Sequence, residues 1–145
     1  MSVFDAFEIA SSGLSAERFR MNLIASNLSN ANATRSEEGG PYRRRDAIFQ
    51  AFFLDEEGYK ADISPNNPLA KVKVIGVDID QREPRMIFEP SHPDANKDGY
   101  VAYPNINAIE EMVNLINAQR SYEANAAGID AAKQMALRAL DIGRV

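Results

Sequence analysis

The 145-residue chain contains no cysteine, no tryptophan and a single histidine. Without cysteine there is no disulfide, no thiolate metal site and no Cys nucleophile. One histidine cannot supply a multi-histidine metal site within one chain. No stretch approaches about 18 consecutive apolar residues, so no membrane-spanning helix is expected. Asp5 and Glu8 stand where a secretory signal would carry basic residues, so no cleavable export signal is expected. The formal net charge of -5 argues against a chain-wide grip on nucleic acid. Proline is missing from both ends: all seven lie between Pro41 and Pro104.

Because proline breaks a helix interior, that distribution predicts helix, irregular or β-rich insert, helix. Phe7, Leu14, Met21 and Leu28 repeat every seven residues, with Val3, Ala10 and Ile24 as a second series interrupted by Glu17. This is the seam of a helix packed on another long helix, though a plain amphipathic core helix has a similar pattern. Ser2 is the expected N-cap. The run from Asn27 to Thr34 favours caps and turns and should end the helix, giving a rod of roughly 40 Å.

At the other end, Asn107 followed by Glu110 resembles a capping box. Leu115, Tyr122, Ile129 and Ala136 again repeat every seven residues, accompanied by Ala118, Asn125, Ala132 and Ala139. Gly143 is the expected stop, and the helix would extend about 54 Å. Asn125 falls on the alanine-rich seam, where a buried amide fixes register; a slight rotation would instead turn it to solvent. Gly13 and Gly128 stand inside the two helices, each at a cost of about 1 kcal/mol relative to Ala.

In the middle, residues 47–54 form an apolar run consistent with a buried strand, or with a helical turn. Residues 71–80 alternate with a phase break at Ile75-Gly76, the mark of a bulge. Met86–Phe88 and Tyr100–Tyr103 are further strand candidates, and Ser64–Pro68 is a turn. A small twisted sheet or partial barrel is expected. The fold class is α+β: long N- and C-terminal helices packed as a coiled-coil or bundle module with a small β-rich insert. The boundaries are 1–33, 34–104 and 105–145.

Candidate chemistry is sparse. Asp94–Gly99 matches the first half of a calcium loop, but Asn105 stands where a bidentate acid is needed, and the same residues are ordinary turn formers. His92 lies in a Pro-rich loop with no nucleophile-elbow motif anywhere. Arg43–Arg45 is a basic cluster compensated by Asp46 and by Glu37-Glu38. Nothing argues for an enzyme, a cofactor or a metal. Two long helices present more apolar surface than about 70 central residues could cover, which points to an assembly subunit. The alternative is a small calcium-binding module with two protein-binding helices.

Three blocks carry a family resemblance. They are Ala25–Asn32 with Gly40–Arg43, then Glu89–Asn96 continuing through Gly99–Val101 to Pro104–Asn107, and Glu111–Val113 with Arg120–Asn125. The chain resembles bacterial flagellar axial proteins, most closely the FlgC-type proximal rod proteins, over nearly its whole length. The resemblance implies a non-enzymatic basal-body rod subunit that passes unfolded through the flagellar type III export apparatus. It implies partners among copies of itself and other rod proteins, with no nucleic acid and no membrane span. It further implies an inner tube of terminal helices with the β-rich part outside. Candidate packing contacts are Phe7, Leu14, Met21, Leu28, Met112, Leu115, Tyr122 and Ile129; candidate polar contacts between subunits are Asn27, Asn30, Arg120 and Asn125.

Overall fold

A computed structural model describes residues 3–37, 39–55, 58–60 and 69–143. The expected cap at Ser2 and the turn at Ser64–Pro68 lie outside these residues. The order is α1 (Val3–Ser29), β1 (Arg45–Asp55), β2 (Gly58–Lys60), β3 (Ala70–Ile79), β4 (Arg85–Phe88), β5 (Tyr100–Tyr103) and α2 (Ala108–Ile142).

Both helices end where local chemistry ends them. After α1, Asn30 and Ala31 turn back onto the carbonyls of Ser26 and Leu28. At the start of α2 the Asn107 side chain accepts from the Ile109 N–H at 3.1 Å. Glu110 makes no return bond, so only the forward half of the capping box forms. Gly143 follows the last helical residue and donates to Ala139.

The helices run antiparallel. Asn27 meets Glu111, and Gly13 meets Asn125 fourteen residues away along each helix. On α2, Glu111, Ala118 and Ala132 are buried; Leu115, Tyr122, Asn125 and Ile129 between them are half-buried. This 3–4 alternation is one face turned to α1, and Asn125 belongs to it rather than to solvent. On α1, Ala16 and Ile24 are buried. Burying a side chain such as Ile24 contributes about 1.5–3 kcal/mol. The same register carries the last turns of α2 beyond the level of Val3, where Leu137, Leu140 and Ile142 are exposed.

Among the described residues the strands form two sheets rather than one sheet or a partial barrel. One has the order β2-β1-β3, all antiparallel; the other pairs β4 with β5. The expected bulge is present: Ile48 pairs with Gly76 and Phe49 with Val74, leaving Ile75 unpaired. The open edge of β3 is covered by α1. The Val72 N–H donates to the Ser12 hydroxyl at 3.1 Å, and Lys71 pairs with Glu8. An uncovered edge would be a template for pairing with other chains. In the second sheet Phe88 meets Tyr100 edge-on at 5.3 Å. Gly99, at φ 82°, permits this, because a Cβ there would lie 2.8 Å from the Phe88 ring.

Candidate functional site

The two fully buried polar side chains of the described core, Asn27 and Glu111, meet where all three segments converge. Asn27 lies in the last turn of α1 because that turn former ends the helix. Glu111 lies in the first turn of α2, where the helix dipole favours an acid. Between them enters the chain from Tyr42 to Arg45.

The Asn27 amide donates to the Arg45 carbonyl at 2.8 Å and to Glu111 Oε2 at 3.0 Å. Its oxygen accepts from the Arg45 N–H at 2.9 Å and from the Tyr42 hydroxyl at 3.1 Å. Two donors and two acceptor sites are all an amide has, so Asn27 is saturated. The backbone of Arg45 dictates which way the amide points. Tyr42, buried with its ring under the Arg45 guanidinium, faces the Ser26 hydroxyl at 3.2 Å.

The second Glu111 oxygen accepts from Arg44 Nε at 2.8 Å, and Arg44 also reaches Asp46 at 3.1 Å. Burial alone would lower the Arg44 pKa; its bonds to Glu111 and Asp46 more than reverse this and raise it. The basic cluster is therefore compensated from α2 as well as by Asp46. An open groove of about 570 Å³ beside it is lined by Arg44, Arg82, Arg85, Glu110 and Glu111.

The expected packing residues divide by face. Phe7, Leu14, Met21 and Leu28 are half-buried, as are Leu115, Tyr122 and Ile129. Leu14 and Tyr122 line one small cavity between the helices. Met112 and Arg120 point outward. Asn30 donates to the Ser26 carbonyl at 2.9 Å, and Asn125 sits against Gly13. Asn27, expected as a polar contact between subunits, is placed with all of its hydrogen-bonding capacity used within its own chain. The sequence marked Arg44 only within a basic cluster, and Tyr42 and Glu111 only within resemblance blocks, none of them as part of one site with Asn27. The available signal was that Glu111 stands seven residues before Ala118, a charge on a buried series.

The outer face of α2 carries Ile109, Met112, Val113 and Ile116, exposed by 70%, 48%, 52% and 56%. Their helical spacing makes one continuous apolar stripe with nothing packed on it among the described residues.

The half-matched calcium loop is a self-closing turn. Asn96 Oδ1 accepts from the N–H groups of Asp98 and Tyr100, both at 2.9 Å. Asp94 accepts from the Thr34 hydroxyl at 2.7 Å and pairs with Arg35, tying this loop to the segment after α1. His92 Nδ1 accepts from the Asp94 N–H at 3.1 Å. Among the described residues no group of three or more His, Cys, Asp or Glu side chains is placed to hold a metal ion. Among the described residues no helix is long and apolar enough to cross a membrane.

A paired-helix stem, a β insert locked to it, and an apolar stripe left over define a structural assembly subunit. Residues 7–35 match the family model described as flagella basal body rod protein, and residues 97–142 match flagellar basal body rod FlgEFG protein C-terminal. The flagellar basal-body rod protein FlgC of Borreliella burgdorferi is 37% identical, with 98% of each chain covered. Its counterparts in Salmonella typhimurium and Bacillus subtilis are 36% and 35% identical, covering 99% of this chain and 100% of theirs. The chain belongs to the FlgC family of flagellar basal-body rod proteins. It is a structural subunit of the bacterial flagellar basal-body rod.

Proposed function

We propose that the chain assembles through its terminal helices into the hollow shaft that carries torque from motor to hook. Its partners are then copies of itself and other rod proteins, reached after passage through the flagellar type III export apparatus. It has no catalytic role. Residues 1–33 and 105–145 form the shared helical module in this reading, and 34–104 the β-rich part outside it.

The observation that supports it is the stripe Ile109–Met112–Val113–Ile116, an apolar face of helical spacing left exposed among the described residues. The candidate packing residues then fall into two sets. Leu14, Leu115, Tyr122 and Ile129 join the chain's own helices, with Phe7, Met21 and Leu28 half-buried on α1 and able to contribute their remaining surface. Met112, with Arg120 nearby, faces a neighbour.

Ile116→Glu tests this. The side chain is exposed in the monomer, so helix content by circular dichroism stays unchanged while incorporation into rods is lost. Normal rods and motility with this variant would count against the assembly reading.

A further inference from the structure

We propose that Glu111 is a positioning residue. Through Arg44 and Asn27 it fixes the angle between the helix pair and the β part, and this joint carries load between the two in the shaft. The proposal rests on the shaft reading above.

The bonding pattern supports it. α2 packs along α1, and it is bonded to the β entry segment through Glu111. Arg44, which grips that carboxylate, also accepts the Asp80 N–H on its carbonyl at 2.9 Å, at the exit of β3. Arg45 gives both backbone groups to Asn27 and pairs with Ile79 in the β1–β3 ladder. A path of hydrogen bonds thus runs from α2 to the sheet. Hydrogen bonds have direction, whereas apolar contact is non-directional and can slide. Arg44 Nε and Asn27 Nδ2 approach different oxygens of Glu111, so a side chain in this pose needs an acceptor at both ends of its planar group. A glutamine offers one oxygen and one NH₂, so whichever way it turns, one donor meets another donor.

Glu111→Gln separates this role from general stability when compared with Ile24→Val. Ile24 is a buried residue of α1 outside the joint. Each full-length variant is expressed in cells lacking the wild-type chain, and monomer melting is measured alongside. Rods are then counted by electron microscopy before and after shear and after swimming in viscous medium. The expected result, read at temperatures where the two variants are equally folded, is that Glu111→Gln rods break several-fold more often than Ile24→Val rods, or fail to form while Ile24→Val rods form. Equal breakage, or failure of both to build rods, overturns the proposal, since stability alone then suffices. Arg44→Lys keeps the charge but loses the planar fork; it is expected to break at an intermediate rate, and wild-type durability would also overturn the proposal. Ile116→Glu lies outside the joint, so normal rods with that variant would count against assembly through the α2 stripe, whereas the joint is judged by the breakage of Glu111→Gln rods.

Discussion

Asn27 and Glu111 are 84 residues apart in sequence and 3.0 Å apart in space. Each has been withdrawn almost completely from water. A buried carboxylate and a buried amide are costly unless every polar atom finds a partner. Here every atom does, and the partners come from α1, from α2 and from the strand entry between them. The pair also sets the helix register, because Gly13 and Asn125 meet at the same offset further along.

Removing the amide should therefore expose its value. Asn27→Ala removes the Asn27 donor from Glu111 Oε2 and the Asn27 bonds made by the Arg45 N–H and carbonyl. Each buried polar group left unsatisfied costs about 1–3 kcal/mol, so the total loss should be about 3 kcal/mol or more. Urea unfolding of the monomer measures it. A loss below about 1 kcal/mol, the level of an exposed pair, would contradict the account of this node.

The two helix-interior glycines should respond oppositely to alanine. Nothing lies within 4 Å of a Cβ built on Gly128, so Gly128→Ala gains helix propensity, up to about 1 kcal/mol. A Cβ on Gly13 would come 2.8 Å from Asn125 Nδ2. Gly13→Ala should then gain nothing or lose stability unless Asn125 is shortened as well. A double-mutant cycle with Asn125→Ala checks this, and the expected coupling is at least about 0.5 kcal/mol in favour of the pair.

Calcium should produce no heat of binding in calorimetric titration. The Asp94 carboxylate is already held by Thr34 and Arg35, and Asn96 is spent on closing its own turn. Micromolar binding would revive the calcium-module alternative.

Much of the fold was legible because its signals are local. The Asn-rich run ends α1, Asn107 starts α2, and the phase break at Ile75-Gly76 marks the bulge. The joint was not legible, because each member has an innocent local explanation. Asn27 reads as a turn former, Glu111 as a first-turn acid, and Arg44 as part of a surface cluster. Only tertiary structure brings them together. The split into two sheets escaped for the same reason, since strand pairing is not written in any one strand. β2 has three residues and offers no period to read. On α1, the contacts that set the register come from Gly13 and Asn27, one position before Leu14 and Leu28 of the apolar series.

Acid should loosen the clasp between the segment after α1 and the turn before β5. The Thr34 hydroxyl, with help from Arg35 and against partial desolvation, holds the Asp94 carboxyl below its usual range. A carboxyl depressed in the folded state contributes stability that is complete above its unfolded value, about 3.9. That contribution is lost as the pH falls through the folded value. The clasp should thus be intact near neutrality and weaken only below about pH 4. Thr34→Val removes the largest lowering cause, so the Asp94 carboxyl should move up toward the ordinary range and less stability should remain to be lost in acid. Carboxyl-carbon NMR titration of the two proteins measures the shift directly. An unchanged Asp94 midpoint in Thr34→Val would show that the hydroxyl bond is not what holds the carboxyl down.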